Sequence, residues 1–405
     1  MKKIISSLFA VATLSVMLSP LMQTTNATTF KDVSSSHWAK AAIDEAVSKG
    51  YFKGYADGTF KPGAQVTRAE FAVLLDRVSS NEKVEGKGTF TDLTGNWSEK
   101  EVNEAIAKGF LTPSDYPNGF KPATPLTRKE MAKWMSSGLA TSSADYKQAL
   151  NDTANTVVPV AEYFKKTMNP SEYPYVSLMM GTGLMSGYAD GTFGAGKTTT
   201  RAEAAVILVR LANVQKQSAD SFVGLKELRA VGTTGTNMEV ITPFSSGVTS
   251  FKNVQGKKMK FRNGAGYSSL NYLIFVDSRD WNNKKGIYAP VFLGKEDKTT
   301  YEDEIYRVYE NQTIYPTKAG FTIDHYMKSS LNPLAIGEAI NNSLPKAYGY
   351  STLPVFNPVK AFSSYVNNEN GMQIWMSNSI EISNPGSSYR TEDGSSFGIS
   401  VLTKN

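Results

Sequence analysis

The 405-residue chain contains no cysteine and only two histidines, His37 and His325. Without cysteine there is no disulfide, no thiol nucleophile and no thiolate metal site. Two histidines so far apart nearly exclude histidine-based zinc sites and Ser-His-Asp triads. Long apolar runs are scarce too. The one pronounced run, around Leu8 to Leu18, follows Lys2 and Lys3, breaks at Pro20 and gives way to Thr25-Asn26-Ala27. That pattern predicts a secretory signal peptide over 1–27, cleaved after Ala27 and too short to span a bilayer. No later segment reaches membrane-spanning length. A strong field of one sign is also missing, since residues 28–214 carry 21 Lys and Arg against 20 Asp and Glu. A nucleic-acid binder would show a basic face, so nucleic acid is not an expected partner.

What the chain does have is repetition. Thr67-Arg68-Ala69-Glu70, Thr127-Arg128-Lys129-Glu130 and Thr200-Arg201-Ala202-Glu203 share one form. Each reads as a capping box, with Thr capping a helix and Glu reaching back to the cap's own N–H. The arginine at the first helical position is the odd member, because a helix N-terminus already carries partial positive charge. Beside free helix N–H groups it suits an anion, a carboxylate above all. Upstream, Phe30-Lys31-Asp32, Trp38, Gly50 and Asp57-Gly58-Thr59-Phe60 match Phe90-Thr91-Asp92, Trp97, Gly109 and Asn118-Gly119-Phe120. The third copy offers Leu150-Asn151-Asp152, Gly183 and Asp190-Gly191-Thr192-Phe193, and each Phe lies seven residues before its Thr. Apolar residues at helical spacing follow each box (Phe71, Leu74, Leu75, Val78 in the first) and precede each glycine (Ile43, Ala46, Val47). Each unit is therefore helix, glycine-rich loop, helix. One unit has too little apolar surface to stand alone, so three should pack together.

These units resemble S-layer homology repeats of Gram-positive surface proteins, over about 28–80, 88–140 and 148–214. The resemblance implies an all-α, pseudo-threefold bundle that anchors a secreted protein non-covalently to the cell wall. The expected partner is a secondary cell-wall polysaccharide, a peptidoglycan-linked glycan whose pyruvylated sugar presents a carboxylate. Carried over by position, the grooves use Arg68, Arg128 and Arg201 with Asp32, Asp92 and the indoles of Trp38 and Trp97. Thr67, Glu70, Thr127, Glu130, Thr200 and Glu203 are structural caps. The third copy departs from the pattern, with 48 residues from Asp152 to Thr200 against 35 in the others and no tryptophan. Arg68 and Arg128 are accordingly favoured over Arg201. Without the resemblance, ion pairs of the three arginines with Asp32, Asp92 and Asp152 are the simpler reading, and the tryptophans are core residues.

Two motif matches carry no weight. Gly191 to Thr198 fits a phosphate loop, yet it aligns with Gly58 to Gln65 of the first repeat and no buried strand leads into it. Gly394-Ser395-Ser396-Phe397-Gly398 fits a nucleophile elbow, but the acid and histidine of a triad have no room downstream.

Past a polar linker at Gln215 to Asp220, residues 221–405 read as a separate α+β domain with a largely antiparallel sheet. Strand-like runs lie at Leu270–Val276, Ile287–Leu293, Met372–Met376 and Phe397–Leu402, and helix-like runs at Tyr301–Tyr309 and Leu334–Leu344. The basic run Lys257 to Arg262 reads as the solvated face of a strand. Binding and display is favoured over catalysis, with no cofactor. A glycosidase needs only two acids, and Asp277, Asp280, Glu302, Asp303, Glu304 and Glu310 are the candidates, though Glu302-Asp303-Glu304 reads better as capping and solvating a helix and Asp324-His325 as a surface pair or a core hydrogen bond. A wall-tethered hydrolase and an S-layer lattice subunit are the alternatives. No cell-wall sorting motif closes the sequence, so attachment is expected from the repeats.

Overall fold

A computed structural model describes residues 30–81, 85–280, 282, 284–295, 297, 305–329, 337–353, 371–385 and 387–401. The expected signal peptide and Glu302, Asp303 and Glu304 lie outside the described residues. Helices fill the first half and antiparallel sheets the second.

The first repeat contributes α1 (Lys40–Ser48) and α2 (Arg68–Val78), the second α3 (Glu99–Ala107) and α4 (Arg128–Ser142). Helix α5 (Ala144–Asp152) intervenes before α6 (Ala161–Phe164), α7 (Tyr173–Gly181) and α8 (Arg201–Val214) of the third. Gly50, Gly109 and Gly183 stop the first helix of each unit in the left-handed region, at φ of 74°, 79° and 72°, where glycine is the cheap residue. All three capping boxes close in both directions.

The extended residues just before the caps join the units. The Val66 N–H donates to the Thr199 carbonyl (3.0 Å), Thr199 to Leu126 (3.3 Å) and Leu126 back to Val66 (2.8 Å). This ring of three bonds takes one residue from each repeat, so a single repeat leaves all of its partners open. Isolated β-bridges such as Gln65 to Thr200 and Thr127 to Thr198 run beside it, an element that a purely helical reading misses. Phe60, Phe120 and Phe193 are fully buried in one continuous core.

Beyond the repeats come α9 (Val223–Thr234) and α10 (Met238–Ile241), then two sheets. Strands β2 (Lys258–Lys260), β3 (Gly266–Val276), β4 (Ile305–Pro316) and β5 (Met372–Glu381) pair antiparallel in that order. A smaller sheet orders β1 (Phe244–Ser245), β7 (Ser396–Val401) and β6 (Ser387–Arg390). Lys258 and Lys260 lie exposed on either side of buried Met259, the solvated strand face expected of the basic run.

Three expected elements change. Ile287–Leu293 holds a short helix, α11 (Ala289–Phe292), with Pro290 in its first turn, where proline is tolerated. Ile305 to Tyr309 belongs to β4, because β3 and β5 pair with it on both sides and tertiary pairing overrides a weak helical signal. The described part of Leu334–Leu344 is not helical until Leu344, where α13 (Leu344–Tyr348) starts with Pro345 in its first turn. A further short helix, α12, spans Ile323–Met327.

The expected linker is also revised, because residues 215–220 are pinned down. Tyr146 Oη donates to the Val214 and Gln217 carbonyls at 3.1 and 3.0 Å, and the Asp145 carboxylate accepts from Ser218 and from the Ala219 N–H. Helix α9 then straddles the two halves: Leu225 joins the core of the repeats, while Leu228 and Val231 join a second core with Ile274, Val276, Tyr288 and Trp375.

Candidate functional site

The site is built three times, each time across a junction between repeats. Arg68 of the first repeat donates from Nη1 to the Phe120 carbonyl of the second at 2.9 Å. Arg128 of the second donates from Nε to the Phe193 carbonyl of the third at 2.9 Å and from Nη2 to Ser186 at 2.7 Å. Arg201 of the third closes the cycle, from Nε to the Phe60 carbonyl of the first at 2.9 Å and from Nη2 to Lys53 at 3.1 Å. Each guanidinium also lies over the rings of the repeat it reaches: Arg68 over Tyr116, Arg128 over Tyr188 and Phe193, Arg201 over Phe52, Tyr55 and Phe60, all at 4.8 to 5.2 Å.

The conserved-looking acids do a different job. Asp32 accepts the N–H groups of Phe60 (2.8 Å) and Lys61 (2.7 Å), and Asp92 accepts those of Phe120 (3.1 Å) and Lys121 (2.7 Å). Although desolvation works the other way, the two N–H bonds hold the Asp32 carboxyl below the usual carboxylate range. In the third repeat the same clamp is Glu162, on the N–H groups of Phe193 (2.9 Å) and Gly194 (2.8 Å). Asp152 is instead ion-paired to Arg229 of α9. Thus the equivalence of Asp152 with Asp32 and Asp92 is corrected. The clamp lies 28 residues before its Phe in the first two repeats and 31 before it in the third, so the apparent 13-residue insertion shrinks to three. Ion pairs between the arginines and these acids do not form among the described residues.

Two further expectations are revised. The N–H groups of the first helical turn are not free for an anion, since Arg68 and Ala69 donate to Thr124 and Pro122, Arg128 and Lys129 to Lys197 and Ala195, and Arg201 and Ala202 to Ala64 and Pro62. Secondly, the three arginines are unequal in an order the sequence did not suggest. Arg68 is neutralised by Glu130, whose Oε1 lies 2.6 Å from Nη2. Arg128 and Arg201 are 5% and 7% exposed and have no carboxylate partner among the described residues. Burial pulls the Arg128 guanidinium down from its usual range. Arg128 feels the charges of Glu203 and Glu162 without an ion pair to either, and a nearly buried cation without an ion pair is an incomplete arrangement.

Trp38 and Trp97 are 67% and 65% exposed, so they are surface aromatics and not core. Because each arginine reaches the following repeat, Trp38 and Asp32 belong with Arg201, and Trp97 and Asp92 with Arg68. The Arg128 junction has no tryptophan. Tyr55, Tyr116 and Tyr188, on which the arginines stack, recur in the repeat five residues before the Phe in the first and third copies and four before it in the second, but their repetition alone assigned them no role.

The acids proposed for catalysis disperse. Asp277 is held by Arg279 in a two-point ion pair. Glu310 is sealed in the sheet by Gln312, Asn378 and Tyr389. His325 Nδ1 caps α12 at Thr322, and Asp324 pairs with Lys328 on the surface. No group of three or more metal-ligating side chains occurs among the described residues, and no described helix is long and apolar enough to cross a membrane.

Three helical units closed by a cyclic exchange of backbone bonds define one interlocked, repeat-built module. The S-layer homology domain model matches residues 29–72, 89–132 and 166–205, and the chain carries three S-layer homology domains. The cellulosome-anchoring protein of Acetivibrio thermocellus is 37% identical over 108 residues, covering 25% of this chain and 24% of that protein. The S-layer protein sap of Bacillus anthracis is 25% identical over 385 residues, covering 95% of this chain and 41% of that protein. Cell surface glycoprotein 1 of A. thermocellus is 38% identical over 117 residues, 26% of this chain and 5% of that protein. The chain thus spans less than half the length of these relatives. Domain content and relatives indicate a secreted, cell-surface-associated protein.

Proposed function

We propose that the three repeats form one wall-anchoring domain, and that it reads an anionic secondary cell-wall polysaccharide, with a pyruvylated sugar supplying the carboxylate. The observation that carries this reading is Arg201: nearly buried, stacked on three rings, bonded to two carbonyls and without a carboxylate partner among the described residues. A ligand carboxylate would complete it, and the exposed indole of Trp38, on the first repeat that Arg201 reaches, offers a face for the sugar ring. Arg128 is equally unpaired but lacks a tryptophan, and Arg68 already holds Glu130. Arg201 therefore leads, Arg128 follows, and the Arg68 junction is mainly structural. What the C-terminal half does at the surface belongs to the same proposal: it is displayed by the anchor.

The test is co-sedimentation of the chain from residue 28 onward with purified cell walls, before and after mild acid removes ketal-linked pyruvate. Binding that disappears with the pyruvate supports the reading, and binding that survives it refutes carboxylate recognition. Arg201→Ala should weaken binding by about 1.5–3 kcal/mol, the loss of a charge-assisted contact. Arg68→Ala should change binding less and lower the melting temperature, because it strands Glu130. Equal binding losses at both positions would overturn the ranking.

A second reading, a subunit of a surface lattice, is favoured by one specific observation: the likeness to an S-layer protein extends over 95% of this chain and so includes the C-terminal half. Ordered sheets from the purified chain in electron microscopy would support it, and a monomer in light scattering at high concentration would oppose it.

A further inference from the structure

A cleft of about 930 Å³ lies in the seam between the third repeat and the large sheet, within the range of small-molecule sites. Its sheet side is made by polar side chains of three neighbouring strands. Asn271 of β3 stands at a β-bulge, the single break in an otherwise regular β3–β4 register. Bulges re-aim side chains, and here Asn271 Nδ2 donates to Asn311 Oδ1 (3.0 Å) and to Thr313 Oγ1 (2.9 Å) on β4. Gln373 of β5 donates to the same Asn311 Oδ1 at 2.7 Å. Both amides are thereby oriented by one acceptor, and their own oxygens, Asn271 Oδ1 and Gln373 Oε1, have no internal donor among the described residues.

Aromatic rings frame this amide row. Tyr315 stacks on Tyr267 at 4.6 Å, and beside it Gly371 carries no side chain, where an added Cβ would come within 2.6 Å of the ring. Trp375 supplies another ring, and Tyr163 and Tyr173 face them from the third repeat. Among the described residues the lining contains no Asp or Glu, and Lys166 is the one charged residue. Fixed amide oxygens select a ligand rich in hydroxyl donors, and flat rings select one with apolar faces.

We propose that this cleft is a second, arginine-free binding site for a neutral oligosaccharide, with its rings packed on the half-buried Tyr315 and Tyr173 and its hydroxyls donating to Asn271 and Gln373. It is independent of the arginine junctions. The site gives the seam a ligand chemistry opposite to that of the grooves: neutral sugar here, anionic sugar there.

The test is titration of the chain from residue 28 onward with cellotetraose and with N-acetylated chitotetraose, read by calorimetry and by tryptophan emission. Binding of at least one is expected, weakened about tenfold or more by Gln373→Ala and by Tyr315→Ala and unchanged by Arg201→Ala. Gln373 is exposed, so its truncation leaves the core intact, and a circular dichroism melt checks this for both variants. No heat and no emission change with either sugar at about 10 mM would overturn the proposal. Binding lost with Arg201→Ala but kept with Gln373→Ala would also overturn it, by moving the sugar to the repeats.

Discussion

Lys61 and Lys121 adopt φ of 56° and 54°, a left-handed conformation that the third repeat meets with Gly194 at 70°. The cause is the acid clamp: Asp32 and Asp92 each bind two successive N–H groups, and the chain must turn left-handed to aim both at one carboxylate. A side chain in that region costs about 1–2 kcal/mol, against which glycine loses about 0.5–1 kcal/mol of chain entropy. Lys121→Gly should therefore stabilise by roughly 0.5 kcal/mol, visible as a small rise in denaturation midpoint. Lys61→Gly should gain less, because the Lys61 ammonium lies 4.0 Å over Tyr55 and that contact would go.

At the scale of elements, α9 is the joint on which the two halves depend, and glycines let it come close. At Gly232 an added Cβ would lie 2.0 Å from the Asp152 carbonyl at the end of α5. At Gly181 it would lie 2.7 Å from the Leu225 backbone, so α7 and α9 touch main chain to main chain. Overpacking of this kind costs about 1–3 kcal/mol. Gly232→Ala should lower the melting temperature of the whole chain, since backbone on both sides must shift. If α9 were a loose tether, the variant would melt like the parent. The Asp152–Arg229 pair lies at the same contact, while Glu162 takes the clamp position on Phe193 and Gly194.

Across the whole molecule, two buried carboxyls govern the pH response. Desolvation pushes Glu227 and Glu310 up to about 7 from the ordinary 4.5, despite hydrogen bonds from Asn237 and the Ile287 N–H to the first and from Gln312, Asn378 and Tyr389 to the second. The folded chain keeps these protons where the unfolded chain releases them. Stability should hence fall as pH rises from about 4.5 to about 7, at about 1.4 kcal/mol per pH unit for each group, and level off above. Below about pH 4 the sign reverses, because Asp32 and Asp145 are held below their ordinary range and lose their favourable bonds on protonation. Chemical denaturation from pH 4 to 8 tests this, and Glu310→Gln should remove about half of the slope. A flat profile in the parent would show that the carboxyls are not sealed.

The sequence alone determined whatever is local and repeated. Capping boxes, terminating glycines and helix periodicity act within a few residues, so three helix–loop–helix units were legible from Thr67, Thr127 and Thr200 and their neighbours. The strands at Leu270, Met372 and Phe397 were legible for the same reason. Only the tertiary structure decided what depends on closure. Which repeat each arginine reaches, that Arg68 finds Glu130 while Arg201 finds none, and that Glu162 replaces Asp152 all follow from the cyclic packing of units distant in sequence. Ile305–Pro316 became a strand because two neighbours needed its backbone, and residues 215–220 became a fixed joint because α5 and α9 pin both ends. Local propensity sets the pieces, but charge compensation and hydrogen-bond pairing across the chain set what each exposed or buried side chain is free to bind.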